Sequence, residues 1–414
     1  MKIVMFTDAY WPRVNGVTVS VDSFSRALIQ LGHQVVIICS LYPDAQTVER
    51  MSNPLMDKRV TESDPIVIRV PSYPMPISKE DRVAKFHKWF WVSKQLTAFG
   101  PDLVHVNSEF VIGEFGFYYA KLHGIPAVYT FHTLWEDYAV NYIPHVPEFL
   151  LRIIARRLIK SMATRAETII APSAQILDVL KRYKVKKPAH FLPTGIDPLI
   201  FVNDKFKVEE FRQQLEKKYL NLAGKRILLF AGRVGKEKNI SFLLRIMPAV
   251  LKAHENTVLL VVGNGPELPL FQAEAEELGI AGDCIFTGYL DRTDLSLVYG
   301  MATIFVFPSL TETQGLVTIE AMLSGTPVVA IGEMGTITVM GGDNGGFMVK
   351  NDPVEFTDRV IQLLSDPDLY CAKVEEAYEH AKSWTIGTMS VRLEQIYRDT
   401  LFRYKTKKKK FFRP

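Results

Sequence analysis

The sequence predicts an α/β protein built from two doubly wound, Rossmann-like parallel sheets. Short runs of Val, Ile, Leu and Phe recur along the chain, bounded by Gly, Pro, Asn or Asp and followed by stretches with helical apolar spacing. Successive runs are separated by enough residues for a helical crossover, which makes neighbouring strands parallel. A chain of 414 residues exceeds one ordinary core and suits two domains of roughly 200 residues. With 48% hydrophobic and 23% charged residues, the composition excludes wholesale disorder.

The first strand, Lys2 to Phe6, runs into a loop in which Asn15 and Gly16 precede a helix ending near Gly32, and Gln34 to Cys39 is the next strand. This opening is a βαβ unit. Its loop has one glycine where the dinucleotide fingerprint needs three, which argues against a dehydrogenase. It also lacks the basic region and long apolar core of a signal peptide, and no run approaches the roughly 18 apolar residues of a membrane span. Cys39, Cys284 and Cys371 have no metal-ligand spacing and are expected to be buried fillers in a reducing compartment.

Further strands are expected at Pro65 to Val70, Leu103 to Val106, Ala127 to Thr130 and Thr168 to Ala171. The third of these runs into TFHTLWEDY, placing His132 just past a strand end, where ligands gather in open α/β sheets. The glycine and prolines of LPTGIDP suit an interdomain crossing, so the first domain is assigned to 1–195 and the second to 196–384. Strands of the second domain are expected at Arg226 to Gly232, Val258 to Val262, Ile285 to Gly288, Ile304 to Phe307, Val328 to Ile331 and Gly346 to Lys350.

The stretch from Phe305 to Ile331 carries the chemistry. A buried strand stops at Pro308 and Ser309, and apolar residues at Leu316, Ile319 and Leu323 give a helix that Gly325 and Pro327 end. Glu312 falls in the loop before that helix and Glu320 on its second turn, with seven residues between them. The first free N–H groups, near Gly315 and Leu316, present partial positive charge to an anion. Glu312 also has a simpler reading, as an acid that complements the helix dipole. A second loop, AGRVGKEKNI, places Arg233 and Lys238 after a strand, a fixed guanidinium and a mobile ammonium suited to a diphosphate held without a metal.

These two stretches resemble the donor site of the retaining GT-B glycosyltransferases of family 4. The E-x7-E motif matches Glu312 and Glu320, the Arg and Lys pair matches Arg233 and Lys238, and Asp8, Pro12, Asn15, Gly16 and the T-F-H-T motif around His132 match as well. The resemblance covers nearly the whole chain. It implies two Rossmann-like domains facing a central cleft, with the acceptor on the first and a nucleotide diphosphate sugar on the second. A helix over 385–402 would cross back to the first domain, leaving a basic tail over 403–414. It further implies catalytic roles for His132 and Glu312 at the donor sugar, and donor contacts from Gly16, Arg233, Lys238, Gly288, Gly315, Leu316 and Glu320, the last to the ribose. No cofactor or metal is expected. UDP-glucose is the first expectation for the donor, with a GDP-mannose-dependent mannosyltransferase acting on a phospholipid or a soluble or polysaccharide acceptor as the alternative. A non-catalytic nucleotide-sugar-binding protein, or a hydrolase or epimerase on the same scaffold, remains a separate reading.

The basic residues suggest where the acceptor lies. Phe149 to Arg165 reads FLLRIIARRLIKSMATR and holds no acidic residue. On a helix, Leu150, Leu151, Ile154, Leu158 and Met162 would form an apolar face, with Arg152, Arg156 and Lys160 opposite and Phe149, Ile153 and Ile159 interrupting the basic side. Such a mixture suits an anionic membrane surface. The membrane contacts expected are Phe149, Arg152, Ile153, Arg156, Arg157, Lys160, Lys407, Lys408, Lys409 and Lys410. Within the family, NSEFVIGEFG, TFHTLWEDY and TETQG resemble the diacylglycerol glucosyltransferases, which implies a lipid acceptor, diacylglycerol first, and a cytoplasmic enzyme at the inner face of the membrane. Nucleic acid is not expected as a partner.

Overall fold

The computed structural model describes residues 1–13, 15–43, 51–53, 56–57, 61–75, 78–132, 147–201, 204–312 and 314–411. The chain divides into two compact units, Met1–Gly195 with Ile386–Pro414, and Ile196–Thr385.

In the first unit β1 (Lys2–Thr7), β2 (Gln34–Ser40), β3 (Met51–Asn53), β4 (Met56–Asp57), β5 (Ile66–Val70), β8 (Leu103–Val106), β9 (Ala127–Thr130), β10 (Thr168–Ala171) and β11 (Ala189–Phe191) form one sheet in the order β11-β10-β9-β8-β1-β2-β5-β4-β3. From β11 to β5 the pairing is parallel, whereas β4 pairs antiparallel to β5 and to β3. A separate hairpin, β6 (Ser72–Met75) with β7 (Ser78–Ala84), sits between β5 and β8 in sequence. The order runs outward from β1 in one direction through β2 and in the other through β8. That divergence leaves a crevice at the carboxyl ends of β1 and β8.

The strands bury almost every side chain, as doubly covered parallel sheets require. Their cover comes from α1 (Gly16–Gln30), α2 (Trp89–Phe99), α3 (Val111–His123), α4 (Glu148–Arg165), α5 (Ala174–Arg182) and the C-terminal helix, Ile386–Phe411. Helix α1 begins where Asn15 accepts the Thr18 N–H, and Gly16 is its first residue. Gly16 therefore needs no unusual backbone angle, and the space over it is open.

The C-terminal helix is longer than expected: it runs to Phe411, through the residues assigned to a basic tail. It docks on the first unit through polar contacts as well as apolar ones. Glu394 lies 3.2 Å from His33, Thr400 bonds Thr168 at 2.7 Å and the Tyr397 hydroxyl meets His105 at 2.6 Å.

The second unit holds β12 (Arg226–Ala231), β13 (Thr257–Val262), β14 (Cys284–Gly288), β15 (Ile304–Phe307), β16 (Val328–Ile331) and β17 (Gly346–Val349) in the order β14-β13-β12-β15-β16-β17, all parallel. Its helices are α6 (Lys205–Lys218), α7 (Ile240–Ala253), α8 (Leu268–Glu277), α9 (Arg292–Met301), α10 (Leu316–Leu323), α11 (Gly335–Met340), α12 (Pro353–Ser365) and α13 (Pro367–Lys382). Here the order diverges between β12 and β15, so the loops after those two strands border the crevice. Of the cysteines, Cys39 and Cys284 are buried but Cys371 is exposed on α13, because it falls on the solvent side of that helix.

Candidate active site

In the second unit the divergence point brings together the two loops that carry the charged motifs. Lys238, ending a short turn after β12, donates to Glu312, in the loop after β15, at 2.6 Å. The two groups expected to meet different parts of a donor thus meet each other. The ammonium also lies 5.8 Å from the Phe307 ring centroid. Arg233 is exposed in the same loop.

The crevice floor is knitted backbone to backbone. The Val234 N–H donates to the Asn264 carbonyl at 3.0 Å, and the Gly263 N–H to the Gly288 carbonyl at 2.9 Å. A Cβ on Gly263 would sit 1.8 Å from the Gly232 carbonyl oxygen, and one on Gly265 1.9 Å from that of Val234. Glycine is required there because three loops pack at backbone distance. Gly288 has φ +75 with open space where a side chain would project. Gly315 has φ +70 and caps α10, but the atoms pressed against it belong to Val339 and Gly335. Glycine suits this position through its positive φ and the tight packing around it. Leu316 opens α10 as expected, and the Gly335 N–H donates to the Glu312 carbonyl at 2.7 Å.

Glu320 is mostly buried on the second turn of α10. The Tyr299 hydroxyl donates to it at 3.1 Å, and the Arg292 guanidinium lies 3.9 Å away. Burial pushes its carboxyl up from an ordinary 4.5 to about 7, against the pull of Arg292 and of the Tyr299 bond. Sequence reasoning missed Tyr299 and Arg292. Arg292 opens α9 right after the Gly288 loop, a signal that was available; Tyr299 lies inside an ordinary helical pattern.

In the first unit the divergence point holds a cavity of about 250 Å³ whose lining includes Asp8, Arg13, Asn15, Asn107, Ser108 and Glu109. Asp8 accepts from the Ser108 hydroxyl at 2.6 Å and from the Ile112 N–H at 3.0 Å, yet burial still pushes it up to about 6. His132, half-buried past β9, lies 3.4 Å from the Asn107 side-chain oxygen. Burial holds it down at about 4, so it is neutral at pH 7.

Helix α4 corrects the face expected for it. Leu151, Ala155, Ile159 and Met162 face the core, so Ile159 does not interrupt the basic side; Leu150 and Ile154 are exposed beside Phe149 and Ile153. The buried positions repeat at i, i+4 and i+8, and the small Ala155 lets the helix approach the sheet along that line. Arg152, Arg156, Arg157 and Lys160 are exposed, with Arg156 over the Tyr183 ring at 5.4 Å. Lys407 is held to Glu167 at 2.8 Å and Lys408 to the Gly124 carbonyl at 3.4 Å, contacts that the expected free tail did not foresee. The side chains of Lys409 and Lys410 lie outside the described residues.

Among the described residues no group of three His, Cys, Asp or Glu side chains converges to hold a metal, and no helix is long and apolar enough to cross a membrane.

Two doubly wound units, with a carboxylate and cation pair at the divergence point of the second, define the class as a GT-B hexosyltransferase. Residues 14–198 match the Glycosyltransferase Family 4 model and residues 211–382 the Glycosyl transferases group 1 model. An alpha-monoglucosyldiacylglycerol synthase of Streptococcus pneumoniae is 34% identical over 335 residues, 80% of this chain and 71% of that protein. One of Acholeplasma laidlawii is 27% identical over 412 residues, 97% of this chain and 98% of that protein. The crystal structure of Anabaena HepE in complex with UDP superposes with a TM-score of 0.73 at 16% identity, covering 96% of this chain and all (100%) of that one. The chain belongs to glycosyltransferase family 4, as a retaining enzyme.

Proposed function

We propose that the enzyme transfers glucose from UDP-glucose to a membrane lipid acceptor, diacylglycerol first, while docked on an anionic membrane surface at the cytoplasmic face. The observation that carries the lipid reading is the outer side of α4, where Phe149, Leu150, Ile153 and Ile154 stand exposed among Arg152, Arg156, Arg157 and Lys160. A merely solvated face has no use for four large apolar side chains, whereas an interfacial helix uses both kinds against anionic lipid. Each cation at such a surface contributes about 1 kcal/mol, enough together for reversible binding. The names of the two synthases support the glucose donor and the diacylglycerol acceptor.

In this reading Lys238 exchanges Glu312 for the donor diphosphate and, with Arg233 and the start of α10 at Leu316, stabilises the charge that grows on the leaving group. Glu312, released, accepts hydroxyls of the donor sugar, and Glu320 those of the ribose. The Gly288 loop frames the base. Gly16 leaves room at the start of α1 for the phosphates, and neutral His132 contacts the donor sugar. Retention follows from attack on the face the diphosphate leaves, with that phosphate helping to take the acceptor proton.

The test combines sedimentation with neutral and anionic liposomes at low and high salt with transfer assays using UDP-glucose or GDP-mannose and diacylglycerol or soluble sugars. Salt-sensitive binding to anionic liposomes and transfer to diacylglycerol are expected. Charge-independent or absent binding, with transfer to a soluble acceptor only, would refute the lipid reading. A GDP-mannose preference would favour the mannosyltransferase alternative, for which relatives named GDP-mannose-dependent alpha-mannosyltransferase supply a reason.

A further inference from the structure

His105 is the hub of a buried network beneath His132. Its Nδ1 lies 2.6 Å from the hydroxyl of Tyr397, on the C-terminal helix, and its Nε2 lies 2.6 Å from the hydroxyl of Thr130, the last residue of β9. Its backbone carbonyl accepts from the Asn107 amide at 3.4 Å. Thr130 precedes His132 by two positions in the chain, and Asn107 is the side chain that His132 meets at 3.4 Å. His105 thus touches both the side chain that His132 meets and the end of the strand from which His132 extends. The enclosed space they share is only about 10 Å³, room for nothing larger than a water.

One arrangement of protons satisfies all of these contacts. Burial and the neighbouring His132 press His105 down to about 3, so its ring is neutral and carries one proton. With the Tyr397 hydroxyl donating, Nδ1 of His105 accepts and its proton sits on Nε2, which donates to Thr130. With the Asn107 NH₂ turned to the His105 carbonyl, the Asn107 oxygen accepts from Nε2 of His132.

We propose that Tyr397 is a positioning residue for His132, acting through His105, Thr130 and Asn107. Its hydroxyl fixes which ring nitrogen of His105 is protonated and which way the ring faces. Removing it leaves a buried acceptor without a partner and frees the ring to adopt the other tautomer. The C-terminal helix, remote in sequence, would thereby set the geometry of a group at the end of β9. The inference rests on the donor-sugar role assigned to His132 above.

The test is Tyr397→Phe in the full chain, beside Thr400→Val on the same helix, which removes a buried hydroxyl bond to Thr168 of β10 without touching His105. Ring ¹⁵N NMR reads the tautomers of His105 and His132, and steady-state kinetics read kcat and KM for UDP-glucose. For Tyr397→Phe the expected result is mixed His105 tautomers, a shifted His132 signal and a kcat lower by about tenfold at unchanged KM, as loss of one hydrogen bond acting in the transition state would give. Thr400→Val is expected to lower the melting temperature while leaving both signals and kcat alone. Unchanged His132 signals and kcat in Tyr397→Phe, or an equal loss of kcat in Thr400→Val, would overturn the proposal. If Tyr397→Phe does not fold, Thr130→Val breaks the other end of the same chain, and an unchanged kcat there overturns the proposal equally. Absence of transfer from UDP-glucose by the wild type would refute the assigned function, while the ring signals still report whether Tyr397 locks His105 and His132.

Discussion

Replacing Glu320 by Gln tests whether the buried carboxylate of the second unit carries a stability cost kept for ligand binding. Its carboxyl sits at about 7 in the folded chain against an ordinary 4.5. The folded state thus holds the proton more tightly than the unfolded one, so this group's contribution is most favourable below pH 4.5 and is lost as pH rises toward 7. The difference of about 2.5 pH units corresponds to about 3 kcal/mol, an upper limit because the carboxyl keeps some access to solvent. Glu320→Gln retains an oxygen for the Tyr299 hydroxyl and removes the charge. The variant should therefore match the wild type near pH 4 and exceed it by up to about 3 kcal/mol near pH 8.5. Denaturant unfolding at both pH values, with hydrogen exchange across Leu316–Leu323 as the local readout, measures the gap. Parallel curves for the two proteins would refute the reasoning. Calorimetry adds a second arm for the proposed ribose contact, because hydroxyls would donate to the ionised form: UDP affinity of the wild type should rise between pH 6 and pH 8, and that of the variant should be weaker and flat.

Other changes probe the loops around the same crevice. Lys238→Ala removes both the partner of Glu312 and the proposed diphosphate contact, and should weaken UDP binding by about tenfold to a hundredfold in titration calorimetry, as for loss of a charge-assisted bond. Gly263→Ala would force a Cβ to within 1.8 Å of a carbonyl oxygen at φ +141, and should destabilise the second unit by at least about 2 kcal/mol in denaturant melts. Met334, just past β16, has φ +46 and ψ −119, a conformation costly for any residue with a side chain. Met334→Gly should therefore stabilise by about 1 kcal/mol, raising the melting temperature by roughly 2–4 °C.

Periodicity was enough to locate the central strands of both sheets because each of these is a short, continuous apolar run, which is what burial on both faces demands. The strands that escaped notice are those without such a run: the pairs at Met51–Asp57 and Ser72–Ala84 are polar, and Ala189–Phe191 is an edge of three residues. Helix α4 shows the limit of the same method. Its apolar residues cover so much of the circumference that spacing alone cannot say which of them meet the sheet. The small Ala155, counted on neither face, marks the buried line between Leu151 and Ile159. The tail shows a related limit, since its run of lysines read as a membrane contact, while spacing could not reveal that Glu167 and the Gly124 carbonyl supply local partners for two of them.

The candidate site divides along the same physical line. Arg233, Lys238, Glu312 and Glu320 were legible because charged residues flanking a strand end have few reasons to be there other than a cap or a ligand. What no spacing encodes is which of them compensates which, because that depends on loops that meet only after folding. The Lys238–Glu312 bond joins loops 74 residues apart, and Tyr397 reaches His105 across 292. The first contact bears on the proposed function. If Lys238 binds the donor diphosphate, a protein partner holds it before the ligand arrives, so binding exchanges one partner for another rather than ordering a free side chain. Its ammonium already lies against Phe307 and Glu312. A donor diphosphate would meet a cation that has given up part of its hydration and needs only to release one carboxylate, which is then free beside the sugar.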